Sequence, residues 1–204
     1  MQDETGHNDM KIFGDSISGN CLKVKYTADL LGLDSQWHEV NILKGASRTP
    51  EFLQINPHGQ VPAVQFDNGE TLAQSNAIIR YLANGTHLLP SEPLAAAKVD
   101  EWLFWEQYSH EPYVAVCRFQ MRYLNRSKEE LEDWRVSCGD EALDYMEQYL
   151  ANHKWLANDS FSIADIALHA YTNMAEEGGF DLTVRPNLIR WLADCQTEIN
   201  SAGN

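Results

Sequence analysis

Basic residues are scarce in this chain. Lys and Arg number 15 against 30 Asp and Glu, a formal charge of −15 with His neutral. Nucleic acid needs cations against its phosphates, so it is excluded as a partner, and an anionic membrane surface is disfavoured on the same ground. No apolar run approaches the roughly 18 residues of a membrane-spanning helix. The four cysteines, Cys21, Cys117, Cys138 and Cys195, lie far apart and form no C-x-x-C, which excludes a zinc ribbon and a redox dithiol. So few thiols in 204 residues fit a reducing cytoplasm. Cys117, Cys138 and Cys195 read as buried small hydrophobes. Seven histidines occur with neither H-x-x-x-H spacing nor a cysteine cluster, so no metal site is expected. Repeats and low-complexity tracts are missing too. Residues 1–9 are polar and acidic, unlike a signal or transit peptide, and read as a loose tail.

Hydrophobic residues, at 44%, suffice for a packed core in one large or two small domains. The stretch Gly14-Asp15-Ser16-Ile17-Ser18-Gly19-Asn20-Cys21 organises the first part. The apolar Met10, Ile12 and Phe13 before it suit a strand, while Cys21, Val24, Ala28 and Leu31 recur at helical spacing after it. A strand turning through Gly, Asp, Ser and Gly into a helix aims backbone N–H groups and the positive helix end at one point. Ser18 sits at that point, either holding an anionic sulfur or simply capping the helix.

Residues 36–42 alternate as a second strand, and Thr49 with Pro50 opens a short helical turn. After the turn Asn56-Pro57-His58-Gly59, residues 61–66 and 70–72 flank Asp67-Asn68-Gly69 as a hairpin. Residues 75–82 form a helix that stops at Asn84-Gly85. This β-α-β, loop, β-β-α order is thioredoxin-like. Pro62 opens a strand directly after Gln60-Val61, where a cis bond would turn the Val61 main chain toward a ligand as an extra edge. Two prolines, Pro90 and Pro93, then mark a switch to an all-helical pattern. Residues 95–107 are apolar over much of their surface, and Pro112 is expected to kink that helix. Leu131, Trp134, Cys138, Ala142, Tyr145 and Tyr149 space the next helix. Ser162 and Asp165 make a capping box, and Pro186 opens the last helix.

Taken together, Gly14-Asp15 through Ser18-Gly19-Asn20-Cys21, Asn56-Pro57 with Gly59-Gln60-Val61-Pro62, Gln74-Ser75-Asn76-Ala77-Ile78, and Ser162-Ile163-Ala164-Asp165 resemble cytosolic glutathione S-transferases of the bacterial, theta-like type. The resemblance runs from about residue 11 to 192. It implies a thioredoxin-like glutathione-binding domain over 10–89, a linker over 90–94 and an all-helical bundle domain over 95–200. It also implies a cytoplasmic homodimer, with glutathione as co-substrate and a small hydrophobic electrophile or organic peroxide as second substrate. Ser18 matches the hydroxyl facing the glutathione sulfur. Val61, before cis-Pro62, matches the residue whose main chain pairs with the cysteinyl part, with Gln60 beside it. Gln74 and Ser75 match the pair holding the γ-glutamyl end, although many relatives carry an acid where Gln74 stands. Lys44 and Arg48 fall in the loop that meets the glycine carboxylate.

Three points stay open at this stage. Ser16 or Asn20 are alternates to Ser18 as the sulfur partner. Tyr108, Tyr113 and Phe119 are candidates for the electrophile pocket, with core packing as the competing role. Arg118, Arg122 and Arg126 make a basic stripe that meets an acidic substrate, a partner subunit or solvent. Two other functions compete with transfer. One is a non-catalytic glutathione carrier or regulator. The other is a thiol oxidoreductase using Cys21, which occupies the last place of S-x-x-C.

Overall fold

The computed structural model describes residues 10–202, so the expectation for residues 1–9 falls outside the described part. The first unit, to Asn84, contains β1 (Met10–Gly14), α1 (Gly19–Leu30), β2 (Ser35–Glu39), α2 (Pro50–Ile55), β3 (Ala63–Phe66), β4 (Thr71–Ala73) and α3 (Ser75–Leu82). Its strands form one mixed sheet in the order β2-β1-β3-β4. β1 runs parallel to β2, with Ile12 opposite Trp37, and antiparallel to β3, with Ile12 opposite Val64. Parallel β1 and β2 need a crossover, which α1 supplies, whereas β3 and β4 turn directly through Asp67-Asn68-Gly69. The tip works because Gly69 takes φ +85° and the Asn68 side chain accepts from the Glu70 N–H. Ile12, Val24, Ala28, Val64, Ile78, Ile79 and Leu82 are all buried, so the inward faces of β1, β3, α1 and α3 carry this unit's core.

β2 is shorter than its alternating pattern predicts and stops at Glu39. Asn41 accepts from the Lys44 N–H and starts a 3₁₀ turn over residues 42–44, an Asn side-chain bond that competes with strand pairing.

The second unit spans Gly85–Asn200. It holds α4 (Pro93–Trp105), α5 (Glu111–Arg122), α6 (Asp133–Leu150), α7 (Ile163–Thr172) and α8 (Pro186–Asn200). The Leu88 carbonyl accepts from Ile163 N–H, so the chain is tied into this unit before Pro90. Between α4 and α5 the kink expected at Pro112 is a π turn over Glu106–His110, with Pro112 in the first turn of α5, where its missing N–H is tolerated. His110 is fully buried there, with Nε2 3.0 Å from Thr172 Oγ1.

The basic stripe is not a uniform surface feature. Arg118 is buried and donates to Glu177 at 2.8–2.9 Å, while Arg126 donates to Gln120 Oε1. Arg118 thus pins the segment around Glu177 to α5 and is not available to an acidic substrate. Cys138, read as buried, is only half-buried, whereas Cys117 and Cys195 are buried.

Candidate functional site

The loop between β1 and α1 is built around Asp15. Its carboxylate accepts from Ile17 N–H and its carbonyl from Ser18 N–H, while its own N–H donates to Cys21 Sγ at 3.3 Å. Ser18 is the N-cap of α1, but its hydroxyl makes no capping bond. The cap reading of this side chain is therefore wrong. Asp15 satisfies the amides of Ile17 and Ser18 ahead of the helix, the Cys21 N–H goes to the Ser18 carbonyl, and the Ser18 hydroxyl donates toward the Cys21 sulfur. It is part-buried and stands at the positive end of α1.

Both alternates have other employment. The N–H and hydroxyl of Ser16 donate to Glu39 Oε1 at 3.1 and 3.3 Å, and Trp37 Nε1 donates to Glu39 Oε2 at 2.8 Å. Partial burial pushes the Glu39 carboxyl up, but these three donations outweigh it and hold it below the usual range. Glu39 thereby latches the loop to the end of β2. Asn20 Oδ1 accepts from the Ser75 hydroxyl at 3.0 Å. That bond ties the start of α1 to the start of α3.

Sequence reasoning missed Lys23. It is fully buried on α1, and its ammonium donates to Asn76 Oδ1 at 3.3 Å. A Lys in a helix reads as solvated, and no signal in the sequence marks this one otherwise. Its charge adds to the positive end of α3 and makes this corner favourable for an anion.

Gln74 precedes α3 with φ +72° and ψ +111°, a conformation that costs a non-glycine residue on the order of 1–3 kcal/mol. Such strain collects where a side chain or amide has to be aimed. The turn at 56–60 is aimed as well. The Asn56 side chain donates to the Gln60 carbonyl at 2.7 Å and accepts from His58 N–H. Gly59 takes φ +61°, and a Cβ there would stand 2.9 Å from the Ser47 carbonyl oxygen, so only glycine fits. The Val61–Pro62 peptide is cis. Val61 lies beyond the last β1–β3 pair, which is Phe13 with Ala63. Arg48 donates to the His58 carbonyl at 3.0 Å and so braces this turn. Lys44 is exposed at the end of its 3₁₀ turn.

The structure does not gather the three aromatics expected to line an electrophile pocket. Tyr108 is 80% exposed, Tyr113 packs edge-on to Trp134, and Phe119 stacks on Tyr123 at 5.0 Å.

Cys21 is fully buried, and burial pushes its thiol up to about 11 against the bonds from Asp15 and Ser18. A thiol in that state is not a thiolate near neutrality. Iodoacetamide at pH 7.5 should therefore leave Cys21 unlabelled in the folded protein, by peptide mass mapping, and Cys21→Ser should keep most of any glutathione-dependent activity. Fast labelling would restore the oxidoreductase reading.

Among the described residues no helix is long and apolar enough to cross a membrane. The profile for the glutathione S-transferase N-terminal domain matches residues 17–84, and that for the C-terminal domain matches residues 104–198. The chain is 31% identical over 202 residues to glutathione S-transferase 3 of Zea mays, covering 89% of this chain and 86% of that protein. It is 32% identical over 191 residues to maleylacetoacetate isomerase of Pseudomonas aeruginosa, covering 91% and 90%. The crystal structure of a glutathione S-transferase from Pseudomonas fluorescens Pf-5 superposes with a TM-score of 0.88 at 45% identity, covering 92% of this chain and 94% of that one. With a mixed β-α-β-β-α unit, a helical unit and both family profiles in order, the chain belongs to the glutathione S-transferase family.

Proposed function

We propose that this protein binds glutathione in its first unit, holds the thiol as a thiolate through Ser18, and transfers it to a small hydrophobic electrophile. The carrying observation is the 3.0 Å bond between Asn20 and Ser75. It brings two positive helix starts together beside a hydroxyl that no cap consumes. Glutathione presents an anionic sulfur and two carboxylates to such a corner. Ser75 and the first turn of α3 take the γ-glutamyl carboxylate, with Lys23 behind them and Gln74 toward the amine. The Val61 main chain, between Gln60 and Pro62, pairs with the cysteinyl part as an added strand edge. Lys44 meets the glycine carboxylate, joined by whatever donors Arg48 has left after bracing His58.

In the reaction the thiol proton leaves to solvent and the Ser18 O–H turns from the neutral Cys21 sulfur, a weak acceptor, to donate to the sulfur anion. The sulfur lone pair attacks the electrophilic carbon, and the leaving group departs with its bonding electrons. Serine forms no covalent bond. With an organic peroxide the same thiolate attacks oxygen and breaks the O–O bond; the alkoxide takes a proton from solvent and leaves as an alcohol, and the sulfenic acid formed condenses with a second glutathione thiol to give disulfide and water. Tyr108, the most exposed of the three named aromatics, is the one best presented to an apolar substrate. Tyr113 and Phe119 pack elsewhere in the helical unit, against Trp134 and Tyr123. The protein works as a homodimer in the cytoplasm.

Calorimetry with glutathione and turnover with an aromatic halide test this reading. Heat of binding with measurable turnover is the expected result. Binding without turnover of halide or peroxide would leave a carrier, and no heat at all would remove the site. Sedimentation at micromolar concentration is expected to give twice the chain mass.

A further inference from the structure

The end of β2 stands beside the start of the loop that carries Ser18. Glu39 is paired with Gly14 in the parallel register, and Val40 N–H donates to the Gly14 carbonyl at 2.7 Å. Side chains two apart on a strand share a face, so Trp37 and Glu39 project together. The Trp37 indole lies against the Gly14 main chain, where a Cβ would stand 2.5 Å from Cη2. Its N–H donates to Glu39 Oε2 at 2.8 Å, which leaves Oε1 for Ser16. On the opposite face His38 stacks on Phe13 at 5.0 Å and keeps the two strand ends together.

Residues 15–18 are one closed turn. The Ser18 N–H donates to the Asp15 carbonyl at 3.0 Å, and the Asp15 carboxylate braces the Ile17 N–H inside it at 3.1 Å. This turn is tied from two sides. From α1 comes the Cys21 sulfur, a weak acceptor 3.3 Å from Asp15 N. From β2 comes Glu39, whose Oε1 accepts the Ser16 N–H at 3.1 Å and its hydroxyl at 3.3 Å. Hydrogen bonds to an ionised acceptor are roughly twice as strong as neutral ones, so the carboxylate is the firmer tie.

A carboxylate in this place also works against the site. Its negative charge opposes an anion at the start of α1, and it adds to the rise of the Cys21 thiol. Holding the turn accounts for its being there. We infer that Glu39 is a positioning residue: through Ser16 it fixes the turn so that the Ser18 hydroxyl is presented to the glutathione sulfur, with Trp37 orienting the carboxylate. The inference rests on the role proposed for Ser18 above. Glu39 acts through the turn and not on a reacting atom.

The charge and the tie have opposite signs, and two variants separate them. Glu39→Ala removes both, whereas Glu39→Gln removes the same charge and keeps an amide oxygen for Ser16. Glu39 is exposed, so neither change opens the core. The pH profile of kcat/KM with an aromatic halide and the ultraviolet absorbance of bound glutathione thiolate are read on the full-length protein, with circular dichroism as the control on folding. Charge alone would move the rising limb down in both variants together. The tie makes Glu39→Ala move it up by about half to one pH unit, with kcat/KM at low pH reduced about three- to tenfold, and Glu39→Gln should recover most of that loss. In a Ser18→Ala background Glu39→Ala should add less than about twofold, because the hydroxyl it aims is gone. Coincident limbs for the two Glu39 variants, or a downward shift in Glu39→Ala, overturn the inference. If Ser18→Ala shifts the limb and Glu39→Ala does not, the inference alone has failed. If Ser18→Ala shifts nothing, the role of Ser18 has failed and the inference with it.

Discussion

Ser18→Ala should lower kcat/KM with an aromatic halide by about 10- to 100-fold while glutathione still binds. The range follows from the worth of one hydrogen bond to a charged group, about 1.5–3 kcal/mol. Only the anion gains the full bond, so the neutral thiol of the ground state loses little and Kd should move by less than about threefold. The pH profile separates this from a general defect. A free thiol titrates near 8.5, and the bond lowers that by about one to two pH units. Removing the hydroxyl should move the rising limb of kcat/KM upward by that amount, so the loss is largest at low pH and shrinks above pH 9. The neighbours set the contrast. Ser16→Ala should leave the profile in place, because its hydroxyl already donates to Glu39. Asn20→Ala should weaken glutathione binding more than it shifts the profile, because Asn20 serves Ser75. An undiminished rate in Ser18→Ala would take the hydroxyl out of the mechanism and return attention to the helix dipole.

The parts of this site that sequence could reach are those written in local code. The Gly-Asp-Ser-Ile-Ser-Gly loop, the hairpin tip at Asn68-Gly69 and the box Ser162 to Asp165 each fix their conformation within a few residues, and each forms as read. Lys23 was hidden because its burial depends on α3, more than fifty residues away. Glu39 was hidden for the same reason, since a strand-end carboxylate reads as solvated until the loop folds back onto it. Glu147, which accepts from Asn187 and Leu188 N–H and so caps α8, is another partner forty residues from its helix. The tryptophans and tyrosines of α4 and α6 do read as a helical stripe. Their ring contacts across the two helices depend on how those helices pack, and a one-dimensional period carries no crossing angle.

Asp165→Ala should cost the protein about 4 kcal/mol, which for a chain of this size is a fall in Tm on the order of 10 °C. Four donors converge on this wholly buried carboxylate: Leu156 N–H, Ser162 N–H, Ser162 Oγ–H and Trp191 Nε1–H. Alanine leaves all four without an acceptor, at the junction of α7, α8 and the segment before α7. Asp165→Asn should be little better, because an amide brings donors to meet donors.

The same residue makes a pH prediction, together with His169 one turn along. Burial raises the Asp165 carboxyl from 3.8 to about 6, against the pull of its four donors. Its contribution to stability is therefore whole below about pH 4 and lost as pH rises through 6. Burial lowers the His169 imidazole from 6.5 to about 4, so its contribution is whole above about 6.5 and lost as pH falls through 4. The two slopes oppose each other across one window. His169→Gln removes one of them. Relative to wild type, the urea unfolding free energy of that variant should then fall as pH rises from 4 to 6, by an amount on the order of 3 kcal/mol. A variant profile parallel to wild type would mean that the fold admits water to these groups, and that the Asp165 box is held by its donors alone.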